Sequence, residues 1–267
     1  MVYNFTLRVS TPNVAIRSSG TFWRHNMSIV QSIYSENAKR IPVTENRRIR
    51  GTISLRKSLY ERRRSGITPV IGEFKRSSPS GFRIQDGMDK VKYFRKLEEM
   101  KVAGISVLTE PKYFLGSYLD ITEAQSLGLP ILAKDFISNE QMVISAYNSG
   151  ADAILLILDF LSASQIRNLS NLASRMDMES LVEFHDPRFL VNYVPCDSCM
   201  LGYNRRNLIT MKIEDNTMGI IDMIHIIPGP KILESGLKYG SIEPYLEREF
   251  DGFLIGTSLL ESQEARR

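Results

Sequence analysis

From residue 68 onward, eight short apolar runs recur, each separated from the next by a stretch with helical periodicity. They are Val70–Phe74, Ile105–Leu108, Pro130–Ala133, Ala153–Leu158, Leu181–Phe184, Cys199–Tyr203, Lys231–Leu233 and Phe253–Ile255. Most are rich in Ile, Leu and Val without strict alternation, as expected of strands covered on both faces. Between them, Val91, Phe94, Leu97 and Met100 form one helical stripe, and Met142, Val143, Ala146 and Tyr147 a second. Ile166, Leu169, Leu172 and Ala173 make a third. Ser138 with Gln141, and Ser162 with Gln165, have capping-box spacing, while Gly104, Gly128 and Gly150 stand where helices should stop and the next strand begin. Open doubly wound sheets usually have about five or six strands. Eight strand–helix units therefore predict an α/β fold, a (β/α)8 TIM barrel.

No linker interrupts residues 68–260, so one domain is expected. We assign 46–267 to the barrel with an N-terminal helical extension, and 1–45 to a poorly matched leader. Within that extension, Leu55 and Leu59 share a helix face that either closes the barrel bottom or leans over its mouth. Residues 1–35 contain no acidic residue and three arginines but no secretory h-region, which favours a flexible or partly docked leader over a targeting segment. Met27 is an alternative start, and the single tryptophan, Trp23, lies in this leader.

Residues 1–66 hold 13 Lys/Arg against 3 Asp/Glu, and the remainder 21 against 27. The basic excess is thus confined to the N-terminal quarter, which argues against nucleic acid as a partner of the whole. No window approaches the roughly 18 apolar residues of a membrane helix. Two cysteines cannot staple 267 residues, so packing must supply stability, and a reducing, cytoplasmic setting is expected. Cys196 and Cys199 form a CxxC, but no second CxxC and only three histidines accompany it, so we expect one loop cysteine and one strand cysteine rather than a metal or redox site. Arg62-Arg63-Arg64 is expected to be a solvated helix end.

In such a barrel, function sits where the strands end, because the following loops meet around one pocket. Those ends carry Glu73 and Lys75, Glu110, Lys134 and Asp135, Asp159, Glu183, Asn204 with Arg205 and Arg206, and Glu234. One charge at a strand tip only marks where the strand leaves the core; so many charged and amide groups at successive ends would converge in one cleft. Lysines and glutamates packed together perturb one another's proton affinities, the condition for acid–base chemistry near neutral pH. Ser235-Gly236 and Gly256-Thr257-Ser258, after the last two strands, offer backbone N–H groups and hydroxyls for a phosphate, with Ser78 from the first loop.

These residues fall within longer matches. Val70-Ile71-Gly72-Glu73-Phe74-Lys75-Arg76-Ser77-Ser78-Pro79-Ser80 resembles the signature segment of indole-3-glycerol phosphate synthase. Leu108-Thr109-Glu110, Tyr113-Phe114, Ile131-Leu132-Ala133-Lys134-Asp135-Phe136, Leu181-Val182-Glu183, Gly202-Tyr203-Asn204-Arg205-Arg206-Asn207-Leu208, Glu234-Ser235-Gly236 and Phe253-Leu254-Ile255-Gly256 continue the likeness in order. It covers about residues 50–260. The resemblance implies a (β/α)8 barrel with a helical extension that converts 1-(2-carboxyphenylamino)-1-deoxyribulose 5-phosphate to indole-3-glycerol phosphate, releasing CO2 and water. It implies no metal or organic cofactor, a small phosphorylated substrate as the only partner, and a monomer, with a dimer as the alternative.

By the same resemblance, Lys134 is the general acid for ring closure, and Lys75 lies near the substrate carboxylate and serves as an acid later. Glu183 handles the proton in dehydration, Glu73 and Asn204 orient lysine and substrate, and Glu234 and Ser235 complete the polar ring. Ser78, Gly236, Gly256 and Thr257 hold the phosphate, and Arg206, Leu208 and Phe114 touch the substrate. A lysine that gives up a proton near pH 7 calls for burial and positive neighbours to lower its pKa. Tyr203 and Phe184 depart from the family pattern and are expected to alter the pocket wall. Two alternatives stay open: another phosphate-binding barrel of the same pathway, such as phosphoribosylanthranilate isomerase, or a silent barrel that only binds a phosphorylated metabolite. The isomerase calls for a Cys/Asp pair, and no cysteine ends the first strand.

Overall fold

The structure, a computed structural model, describes residues 28–84, 88–246 and 250–264. Two helices, α1 (Ile29–Asn37) and α2 (Leu55–Arg64), precede strand β1 (Val70–Phe74). There follow α3 (Lys90–Glu99), β2 (Gly104–Leu108), α4 (Tyr118–Ala124), β3 (Ile131–Lys134), α5 (Glu140–Ser149) and β4 (Ala153–Ile157). The second half adds α6 (Ala163–Arg175), β5 (Glu179–Phe184), β6 (Cys199–Asn204), α7 (Thr217–Ile224), β7 (Lys231–Glu234), α8 (Glu243–Leu246), β8 (Gly252–Ile255) and α9 (Thr257–Glu264). Each strand pairs in parallel with its sequence neighbour, and β8 returns to β1, closing the barrel. This is the (β/α)8 barrel predicted by the alternation. Between β5 and β6 the crossover is a 3-10 helix, Pro187–Asn192, rather than an α-helix.

Side-chain alternation sorts every strand into two cores. Outward residues such as Phe74, Val107, Ile154, Val182, Leu201 and Phe253 pack against the helices. Inward residues Ile71, Leu132, Leu155, Leu181, Met200, Ile232 and Leu254 fill the barrel. Helix α2 plugs its lower end. A carbon added at Gly104, which opens β2, would lie 2.6 Å from Leu55, and one at Gly252, which opens β8, 2.7 Å from Leu59. The bottom-or-mouth choice is therefore settled in favour of the bottom.

Several local expectations shift. In α3 the buried face is Tyr93, Phe94 and Leu97, while Val91 is exposed. The Tyr93 hydroxyl donates to the Glu73 carbonyl at 2.9 Å, which rotates the helix toward β1. Ser162 and Gln165 do form a capping box, but α5 is capped by Asn139, which accepts from the Met142 N–H, rather than by Ser138. As expected, Gly128 and Gly150 take left-handed caps and Gly104 stands where β2 begins. Arg63 is not merely solvated, since it donates to the Phe250 carbonyl at 3.1 Å and pairs with Asp251 at 3.0 Å.

Cys196 and Cys199 are joined in a disulfide, correcting the expectation of two separate thiols. A turn with the Cys199 N–H on the Cys196 carbonyl brings their Cα atoms to 5.0 Å. The bridge spans so short a loop that it restrains little of the chain.

Residues 1–27, with Trp23 and Met27, lie outside the described residues. Helix α1 precedes the boundary drawn at residue 46, yet it buries Val30 and Ile33 against the barrel. Farther along, Arg48 and Arg50 reach the buried Asp152 carboxylate at 2.9 and 2.7 Å, wrapping this segment around the base.

Candidate active site

Inward alternation also delivers the polar groups. Two residues after Ile71 comes Glu73, after Leu132 Lys134, after Leu181 Glu183 and after Ile232 Glu234; on β6 the inward row runs Met200, Gly202, Asn204. Each is the upper inward position of its strand, so the closed barrel turns five separate tips into one ring. Above it opens a cavity of about 560 Å³. All fourteen residues assigned to the site from the sequence line it.

The ring is densely paired. Lys134 Nζ donates to Glu183 Oε2 at 2.9 Å and contacts Glu234, while Lys75 Nζ donates to Glu73 Oε1 at 2.7 Å. Asn204 Nδ2 donates to Glu183 Oε1 at 2.7 Å, and its own Oδ1 accepts the Arg206 N–H at 2.9 Å. Burial alone would lower the Lys134 ammonium, but Glu183, Glu234 and Glu73 outweigh it and hold that ammonium well above the ordinary lysine value. The expectation of a lowered lysine is thereby corrected: the neighbours are carboxylates, and Lys134 stays charged. Burial, then the Glu183 carboxylate, pushes Glu234 up to about 8 against the pull of Lys134. Glu73 goes the other way, because Lys75, Lys134 and Arg206 overcome its burial. The ring thus sets a charged lysine against carboxyl groups of unlike proton affinity, Glu234 raised and Glu73 lowered.

The rim is shaped by backbone. Ser235 and Gly236 both adopt left-handed conformations, φ 69° and 65°. Arg205 holds this turn, donating to the Ser235 carbonyl from Nε at 3.0 Å and from Nη2 at 2.8 Å. The Ser258 hydroxyl donates to the Leu237 carbonyl at 2.9 Å, joining the turns after β7 and β8. Gly256 lies close under Glu73: a carbon added there would meet Glu73 Oε1 at 2.3 Å and Lys75 Nζ at 3.1 Å.

The cavity wall is apolar, with Phe114, Phe136, Leu155 and Leu208 among its members and Ile33 reaching it from α1. Phe136, Ile33, Met211 and Lys238 were missed by the sequence assignment. Phe136 was recoverable, being two residues beyond Lys134, and so was Ile33 from the Val30/Ile33 spacing. Other strand-end charges do different work. Glu110 accepts the N–H groups of Lys112, Tyr113 and Phe114, and Asp159 those of His185 and Asp186. Both shape loops. Tyr203 and Phe184 do not alter the pocket wall: they point outward, centroids 5.4 Å apart, into the helix layer. The Tyr203 hydroxyl accepts the Asn216 N–H at 3.3 Å, tying down the loop after β6.

A (β/α)8 barrel with lysines and carboxyl groups interleaved beneath the turns after its last two strands belongs to the class of barrel enzymes that work by acid–base chemistry. Comparison with known proteins narrows this. The family model for indole-3-glycerol phosphate synthase matches residues 26–267. The indole-3-glycerol phosphate synthase of Picrophilus torridus is 39% identical over 87% of this chain and 92% of its own length. That of Sulfurisphaera tokodaii is 40% identical over 72% of this chain and 78% of its own. The chain belongs to the indole-3-glycerol phosphate synthase family. Among solved structures, the tryptophan synthase subunit alpha of Legionella pneumophila shares the fold, with a TM-score of 0.56 at 11% identity over 80% of this chain and 91% of its own.

Proposed function

We propose that this chain converts 1-(2-carboxyphenylamino)-1-deoxyribulose 5-phosphate to indole-3-glycerol phosphate, a carboxy-lyase step of tryptophan biosynthesis. The observation that carries the reading is Lys134, held charged between Glu183 and Glu234 on the cavity floor. Such a lysine delivers its proton to the substrate carbonyl oxygen as the ring carbon attacks the carbonyl carbon. The carbonyl becomes a hydroxyl, and loss of CO2 restores the aromatic ring. That hydroxyl then leaves as water, with Lys75 supplying the proton and Glu183 accepting one from the substrate. Glu73 steers Lys75, and Asn204 steers Glu183. The Ser235–Gly236 and Gly256–Thr257 turns, with Ser78, receive the phosphate; Arg206, Phe114 and Leu208 border the aromatic portion. The substrate's apolar ring between two anionic ends suits an apolar wall set among Lys75, Lys134 and Arg206.

Purified protein given the substrate should develop indole fluorescence; none would leave the silent binding barrel as the reading. The isomerase alternative is disfavoured, since the cysteines sit at the base of β6, away from the cavity.

The glycines offer a finer test. Gly236→Ala strains a left-handed turn and sets a carbon 3.3 Å from Arg205 Nη2, so KM should rise about tenfold with kcat within about threefold. Gly256→Ala intrudes on Glu73 and Lys75, so kcat should fall along with affinity. Steady-state kinetics of the two variants separate phosphate binding from chemistry; an unchanged KM in both would place the phosphate elsewhere.

A further inference from the structure

The inward row of β6 carries a gap. Between Met200, in the barrel core, and Asn204, bonded to Glu183, stands Gly202, in register with Glu183 of β5 and Ile232 of β7. A glycine in a strand interior weakens the strand, and it often marks a close approach by another group. Here the approaching group is the Glu234 side chain of the neighbouring strand. A carbon added at Gly202 would lie 2.5 Å from Glu234 Oε1, 3.2 Å from Leu181 Cδ1 and 3.5 Å from the Glu183 Cα. Glu234 itself is in register with Asn204, one inward step higher, so its carboxylate leans back over Gly202.

Glu234 Oε1 is buried without a hydrogen-bond partner among the described residues, whereas Oε2 contacts Lys134. Space rather than a donor therefore keeps Oε1 where it is. The carboxylate is held from two sides, by the Lys134 ammonium and by the bare backbone of β6. We propose that Gly202 is a positioning residue for the reaction: its missing side chain is the seat in which the Glu234 carboxylate rests, and that seat fixes how Glu234 meets Lys134. A side chain there has little room. Strand β6 is paired on both edges, so its backbone cannot retreat, and Leu181 is packed in the barrel interior. The part free to move is the end of Glu234, away from β6 and so away from Lys134.

Gly202→Ala is expected to lower kcat about ten- to hundredfold, the order seen when a catalytic group is misplaced by about an ångström, with KM within about threefold. Glu234→Asp has a carboxylate one methylene shorter, which clears the added methyl. Alone it should lower kcat, because it draws back from Lys134. Added to Gly202→Ala, it should raise kcat about threefold or more above Gly202→Ala alone, since residues in contact do not act additively. A glycine needed only by the strand would give the reverse, with the two losses multiplying. Parent turnover in Gly202→Ala, or a double variant no better than Gly202→Ala, would overturn the proposal. Should Gly202→Ala fail to fold, the comparison moves to stability. The double variant should then fold, and its failure would assign the space to the barrel rather than to Glu234. The proposal rests on the reaction proposed above, and a parent inactive on that substrate removes the reaction. Crystal structures then decide the seat separately: Glu234 should be displaced from Lys134 in Gly202→Ala, and a carboxylate left in place would overturn the seat as well.

Discussion

Lys134→Met is expected to lower kcat by about 10²–10⁴ while leaving binding of a product analogue within a few-fold of the parent. Methionine retains much of the lysine stem, so the barrel interior stays filled, but it has no proton to give. Binding should survive because the turns proposed to hold the phosphate follow β7 and β8, and most of the wall comes from other strands. Losing the ammonium also leaves Glu183 and Glu234 facing each other without their shared cationic partner. Single-turnover measurements on the folded variant isolate the chemical step. More than half the parent kcat there would end the assignment of Lys134 as ring-closing acid, and Lys75 would become the first candidate.

The second large effect is expected at the opposite end of the barrel and in stability rather than turnover. Asp152 is buried and accepts from Arg48, Arg50, the Ile53 N–H and the Ile131 N–H. Asp152→Asn keeps the volume but leaves two guanidinium groups without their carboxylate. Breaking a buried ion pair from one side costs about 3–5 kcal/mol, which for a domain of this size lowers Tm by on the order of 10 °C. The Arg48 stack on Tyr147, 4.7 Å from guanidinium carbon to ring centroid, limits how far that arginine can swing out to water. Turnover of the folded fraction should match the parent, because Asp152 precedes β4 at the stability face, away from the loops that carry the site. Calorimetry with kinetics below the transition checks both halves. A Tm within about 2 °C of the parent would mean that water replaces the carboxylate at small cost.

The strands, their order around the barrel and most of the candidate site were legible in the residues, for a local reason. Strand alternation is a property of consecutive residues, so the steps from Ile71 to Glu73, Leu132 to Lys134, Leu181 to Glu183 and Ile232 to Glu234 already state where an apolar interior gives way to a polar mouth. The same alternation marks Tyr203 and Phe184 as outward, a consequence the family comparison obscured. Capping at Ser162 and the left-handed glycines after α5 and before β3 were equally local.

What only tertiary structure decided are the interactions between residues far apart in the chain. Lys134 and Glu234 are separated by 100 residues, and the ammonium stays charged because barrel closure, not local sequence, brings three carboxyl groups around it. The difference between Glu183, facing the cavity, and Glu110 or Asp159, spent on backbone N–H groups, follows from how each loop folds back. The face that α3 buries was set by where the Glu73 carbonyl meets Tyr93, and the cover supplied by α1 by where Asp135 receives Asn37 and Arg40. Local periodicity specifies the conformation of an element and the side it hides. Proton affinity and hydrogen-bond partnership depend on distances of a few ångströms between elements, and those exist only once the barrel has closed.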